Sequence, residues 1–270
     1  MFRNQYDTDI TTWSPQGRLH QVEYAMEAVK QGSAVVGVRS DTHVVLATLK
    51  RSTSELASTQ KKLFSIDDHL GIAIAGLTAD ARVLGRHMRT ECMNYKYIYE
   101  IAMPVGRLAL NVADKCQVST QRASKRPFGV GLLIAGYDEL GPHLYQSCPS
   151  GNYYEFYSMA IGARSQSAKT YLERHFEEFA SLELQDLILQ AIRALRETVS
   201  SSKDAELTSK NCAIAYVGKG DTFTIVEGDE IQPYLDTLEN SDGKQEEEEE
   251  ETEEAAEQTE DKPTDAPMED

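Results

Sequence analysis

Apolar residues fall along this chain in short runs of two different periods. Residues 33–39 and 43–50 are rich in valine and are separated by Ser40, Asp41 and Thr42, which is turn chemistry, so they predict a hairpin of two buried strands. Residues 63–66 and 71–75 repeat that pattern around Asp67, Asp68 and His69. Residues 79–99 and 105–122 then switch to helical spacing, with Pro104 ahead of the second helix and Val105, Leu108, Val112 and Cys116 along one face. Strands return at 130–135 and 143–146, on either side of a turn over 136–142, and 153–161 predicts one further strand. Residues 166–179 and 184–198 predict two more amphipathic helices, the second carrying Leu184, Leu187, Ile188, Ala191 and Leu195 on one side. A last hairpin joins 213–217 to 223–226 around Gly218, Lys219, Gly220 and Asp221.

The order is therefore strands, two helices, strands, two helices, strands. Strict alternation of strand and helix would predict a parallel sheet; segregated blocks predict instead an α+β domain with two antiparallel sheets. No repeat of 20 to 50 residues is visible. With 270 residues, 40% of them hydrophobic, the chain is long enough to bury a substantial core.

A further helix is predicted ahead of the first strand. Leu19, Val22, Met26 and Val29 follow helical spacing, and Gly32 stands where a carboxyl-terminal cap would end the helix. Burying those four side chains is worth at most about 6 to 12 kcal/mol. The helix must therefore pack against something, either its own domain or a neighbouring subunit.

Charge changes the picture only at the end of the chain. The net charge is −17, but residues 241–270 hold 15 acidic and two basic residues, leaving 29 acidic and 25 basic for residues 1–240. The body is close to neutral and the acidity is a tail. That tail lacks aromatic residues and, apart from Met268, large aliphatic ones, so it is expected to be disordered and solvated. A near-neutral body gives no electrostatic reason to bind nucleic acid or an anionic membrane.

Candidate chemistry is sparse. Cys92, Cys116, Cys148 and Cys212 are widely spaced with no Cys-x-x-Cys pair, and are expected as reduced thiols. His20, His43, His69, His87, His143 and His175 offer no pair at metal-ligand spacing, so no metal or cofactor is expected. No apolar run approaches a membrane span, no signal-peptide pattern opens the chain, and Asn-x-Ser/Thr sequons are absent. A cytoplasmic and nuclear location is expected.

The segment from Trp13 to Val29, with Ser14, Pro15, Gln16, Gly17, Arg18, Leu19, His20, Gln21, Val22, Glu23 and Tyr24 in series, resembles the alpha-subunit signature of the proteasome core particle. The resemblance extends over roughly residues 4–235. It implies a four-layer α/β/β/α sandwich of the N-terminal nucleophile hydrolase type, preceded by an alpha-subunit helix. It divides the chain into a gate segment and ring-contact helix at 1–32, the sandwich at 33–240 and the acidic tail at 241–270. The implied partners are other alpha subunits in a seven-membered ring, beta subunits of the adjacent ring, and regulatory caps.

What the resemblance implies for chemistry is mainly negative. Active relatives use an amino-terminal Thr whose hydroxyl attacks and whose free amine accepts the proton. Matching the first hairpin places Ser33 at the nucleophile and Leu49 at the catalytic Asp, while Lys62 matches the active-site Lys. Only the Lys survives, so a non-catalytic subunit is expected. An autoprocessed hydrolase beginning at Ser33 and a free adaptor working through the acidic tail are the alternatives. The family's gate cluster maps onto Tyr6, Asp7, Pro15 and Tyr24; the Arg that often follows the Tyr-Asp pair is Thr8 here. Its cap-docking pocket maps onto Gly32, Lys62 and Leu77, where Lys suits a terminal carboxylate and Gly a close backbone approach. The ring-contact helix maps onto Leu19, Val22, Met26 and Val29.

Overall fold

The computed structural model describes residues 5–51, 56–199 and 207–238. Its apolar runs form ten strands in two five-stranded sheets, and every neighbouring pair is antiparallel. The first sheet contains β1 (Val35–Arg39), β2 (His43–Leu49), β8 (Ser158–Ile161), β9 (Cys212–Gly218) and β10 (Asp221–Glu227), in the order β10-β9-β2-β1-β8. The second contains β3 (Leu63–Asp67), β4 (Leu70–Gly76), β5 (Val130–Asp138), β6 (Gly141–Ser147) and β7 (Tyr153–Glu155), in sequence order.

Both faces of each central strand are buried, which is why these strands read as continuous apolar runs and not as alternating ones. Leu70, Ile72 and Ile74 of β4 and Val130, Leu132 and Ile134 of β5 point one way, into a core shared with Leu84 and Met88 of α2 (Thr78–Tyr99) and Leu108 and Val112 of α3 (Val105–Ser119). The intervening Ala73, Ala75, Leu133 and Ala135 point the other way and meet Val35, Leu46, Ala215 and Val217 of the first sheet. Helices α4 (Ser165–Phe179) and α5 (Leu184–Arg196) cover the outer face of that first sheet. There Leu187, Ile188, Ala191 and Leu195 are wholly buried, as are Val36, Val38, Val45 and Ala47. The layers are helix, sheet, sheet, helix.

Close sheet packing explains two glycines. A Cβ on Gly37 would lie 2.8 Å from a Leu144 methyl, and one on Gly71 would enter the Phe223 ring. Neither space can be shared in a close-packed interior.

Several expectations change. The turn over 136–142 tightens: β5 and β6 run on to Asp138 and from Gly141, so only Glu139 and Leu140 connect them, and Gly141 takes φ +116°. The stretch 153–161 is two strands in different sheets. β7 pairs with β6, then the chain crosses at Phe156 and Tyr157, whose backbone bonds to Leu144 and Arg39, and β8 pairs with β1. The crossing carries no Gly, Pro or Asn, so residue type did not disclose it. Helix α3 stops at Ser119, short of Arg122. A 3-10 turn at Gly228–Ile231 was not expected.

Residues 5–232 belong to one compact unit, and a second begins at Pro233; its described residues, 233–238, are helical. The acidic stretch 241–270 lies outside the described residues.

Candidate functional site

Helix α1 (His20–Gln31) ends three residues before β1, and Ser33 lies in that link. Lys62 immediately precedes β3. The two positions matched to a nucleophile and its lysine are brought into direct contact: Lys62 Nζ donates to Ser33 Oγ at 2.7 Å and to the Ser33 carbonyl at 3.0 Å. Lys62 is only 4% exposed. Burial pushes its ammonium down to about 7, and the charge of Arg51 adds to the depression. An ammonium has three N–H donors, and the third has no partner among the described residues. Leu49, at the position matched to the catalytic Asp, ends β2 and offers only its backbone N–H, given to the Ala34 carbonyl at 3.0 Å.

Chemically this is a hydroxyl held by a low-pKa amine, with no carboxylate matched to it. The nitrogen of Ser33 is a peptide nitrogen that follows α1. Cysteine chemistry is remote as well, since burial pushes the thiols of Cys92, Cys116 and Cys212 up to about 12. Among the described residues no group of three or more His, Cys, Asp or Glu side chains is placed to hold a metal ion.

Gly32, Lys62 and Leu77 come together around the end of α1. Gly32 adjoins Ser33, which receives Lys62, and a Cβ on Gly32 would collide with the backbone of Ala75 and Gly76. Leu77 follows at once, bonds through its N–H to the Gly129 carbonyl at 2.8 Å, and leaves half of its side chain exposed. Gly32 caps the helix end as expected, its N–H bonded to the Val29 carbonyl, in extended conformation at φ −64°, ψ 153°.

The gate positions are joined only in part. Tyr24 donates its hydroxyl to Asp7 Oδ2 at 3.0 Å, and Gln21 donates its side-chain amide to the Asp7 carbonyl. Pro15 occupies the second position of a turn closed by Gly17 N–H on the Ser14 carbonyl at 2.9 Å, with Gly17 at φ +74°. Arg18 then forks onto Glu23 with two bonds of 2.7 Å. Tyr6 is half-buried next to Asp7, and Thr8 is exposed.

The α1 stripe is shared between inside and outside. Val22 is buried, and Val29 rests on β5, where a Cβ at Gly131 would lie 2.8 Å from its methyl. Leu19 is half-buried, and Met26 is 40% exposed. The helix therefore covers its own domain, with Met26 turned outward.

The match to known proteins is extensive. A proteasome subunit family model matches residues 29–217, and a model of the N-terminal signature of A-type proteasome subunits matches residues 6–28. The chain belongs to the proteasome alpha-subunit family. It is 61% identical over 242 residues to the alpha type-1 proteasome subunit of Dictyostelium discoideum, covering 90% of this chain and 97% of that one. It is 50% identical to alpha type-1 of Drosophila melanogaster, covering 90% and 87%, and 54% identical to a probable alpha type-6 subunit of Schizosaccharomyces pombe, covering 88% and 87%. The N-terminal signature thus coincides with the segment that holds Asp7, Pro15 and α1. Gln21 lies within the matched signature but was given no role from sequence; a polar residue on a helix gives no sign that it reaches back 14 residues to the Asp7 carbonyl.

Proposed function

We propose that this alpha subunit is a non-catalytic building element of the outer ring of the 20S proteasome core, serving ubiquitin-dependent protein degradation in cytoplasm and nucleus. Its partners are the other alpha subunits of a seven-membered ring, beta subunits of the adjacent ring and regulatory caps. The observation that carries the non-catalytic reading is the site at Ser33. A hydroxyl nucleophile of this type needs a base, and here the residue's own nitrogen is locked in an amide while the Asp position is Leu49. Lys62 alone is left, and it serves Ser33 as a hydrogen-bond donor.

The remaining geometry supports two further roles. The Asp7–Tyr24 bond and the Ser14–Gly17 turn fix the path of the N-terminal segment, which suits a strand reaching toward a pore; twelve extended residues span about 40 Å. The third N–H of Lys62, beside the close approach at Gly32 and the exposed Leu77, suits a terminal carboxylate with an apolar neighbour from a cap.

The test is a particle assembled with a Ser33→Ala subunit. Peptide hydrolysis per particle is expected to equal wild type, and the chain alone to hydrolyse no fluorogenic peptide. Activity of the isolated chain that disappears on Ser33→Ala would overturn the non-catalytic reading.

A further inference from the structure

A cavity of about 420 Å³ lies beside α1; neither Ser33 nor Lys62 lines it, although its Gly162 packs against the Ser33 carbonyl. Met26 and Val29 of α1, Gly131 of β5, Ala160 and Ile161 of β8 and Pro149 supply apolar surface. The charged side chains at its wall are Lys30, Arg164 and Lys169, and no carboxylate lines it. Lys30 is shared with Glu27 at 2.5 Å. Neither Arg164 nor Lys169 has a side-chain hydrogen bond or ion pair among the described residues. Arg164 is held at φ +55°, a left-handed conformation unfavourable for a non-glycine residue.

An apolar floor under unpaired cations is a complementary surface for an apolar group carrying negative charge. The position of the cavity selects among possible carriers. Its α1 wall runs from the inward Val29 to the exposed Met26, and the ring reading makes Met26 part of the helix that meets a neighbouring subunit. Resting on that reading, we propose that this cavity receives a large apolar side chain adjoining an Asp or Glu from the neighbouring alpha-type subunit. The apolar side chain fills the floor between Val29 and Ile161, and the carboxylate lies against Arg164 and Lys169.

The test uses the complete set of alpha-type subunits. Wild-type chain and an Arg164→Glu, Lys169→Glu variant compete for incorporation, and the thermal melting of each free chain is recorded. The variant is expected to lose about tenfold in competition through charge repulsion, with unchanged melting. A milder Arg164→Gln, Lys169→Gln pair replaces it if the first variant fails to fold, with a smaller loss in the same direction. A photo-crosslinker at Gln166, on the cavity rim, should join the assembled chain to an alpha-subunit peptide in which an apolar residue adjoins an acidic one. Equal incorporation of folded variants, or a crosslink confined to a cap or a beta subunit, would overturn the cavity assignment while leaving ring membership intact. Failure of the wild-type chain to incorporate would instead remove the ring reading itself.

Discussion

Replacing Lys62 with Met should change stability in a way that depends on pH, because the ammonium is buried against a hydroxyl and a carbonyl, with no carboxylate bonded to it among the described residues. Below pH 7 the group is charged in both the folded and unfolded chain, and the full cost of burying it is present. A depression from 10.5 to about 7 corresponds to roughly 5 kcal/mol. Between those values the folded chain holds the neutral amine while the unfolded chain stays protonated. The unfolded state then binds more protons, so stability rises with pH. From pH 6 to pH 9 this one group should add about 1.5 to 3 kcal/mol to the wild type. Met also removes the donors to Ser33, which costs about 1 to 3 kcal/mol at every pH. The difference between variant and wild type in urea unfolding, taken at pH 6, 7.5 and 9, cancels that constant and most other titrating groups. Met should look most favourable at pH 6 and lose ground steadily as pH rises. A difference that stays flat, or that moves in Met's favour with rising pH, would refute the reasoning.

Two further outcomes follow from single contacts. Tyr24→Phe removes the hydroxyl that Asp7 accepts, worth about 1 to 2 kcal/mol of local order; particles of verified equal subunit content should show a modest rise in basal cleavage of a small peptide, smaller than that from deleting residues 1–12, and unchanged cleavage in both would remove the gating role. Gly71→Ala forces a methyl into the Phe223 ring and should lower the urea midpoint by the equivalent of about 1 to 3 kcal/mol, whereas an unchanged midpoint would mean the sheets separate at little cost.

Most of the fold was legible because it is written in periodicity. The runs at 35–39, 43–49, 70–76 and 212–218 are apolar on both faces, and α5 places Leu187, Ile188, Ala191 and Leu195 on one side, so element type followed from residue type. The crossing at Phe156 was illegible for a physical reason. Tyr153, Tyr154, Phe156, Tyr157 and Ile161 supply strand formers on both sides of the crossing, and only tertiary pairing decides that β7 joins β6 while β8 joins β1. Gly32 caps α1 as the spacing predicted, but its close contact with Ala75 and Gly76 was not legible, because helix spacing says nothing about distant backbone. Within the site, the resemblance predicted that Ser33 and Lys62 would match catalytic positions, but their contact and the burial of the ammonium needed the structure. The cavity walled by Met26, Arg164 and Lys169 draws on segments more than a hundred residues apart, and no local pattern announces it.

Helix α1 joins two of the proposals above, a subunit without hydrolysis and a subunit with binding surfaces. On the non-catalytic reading proposed above, an active relative needs a chain terminus at the position of Ser33, so any residue ahead of it removes the amine. Once that position is interior, the preceding segment is free to carry structure. Here it carries a twelve-residue helix whose buried side, through Val22 and Val29, covers its own sheets. Its end sets Gly32 against Gly76, which brings Ser33 to the Lys62 ammonium, and its outward side supplies Met26 to the neighbouring cavity. On the docking reading proposed above, Lys62 serves a different purpose from the one it has in an enzyme. Its remaining N–H and near-neutral pKa make it a receptor that an incoming carboxylate would recharge, since an adjacent negative charge favours the ammonium. Capture of a carboxylate and reprotonation of Lys62 are therefore one event, and its strength falls as pH rises above 7.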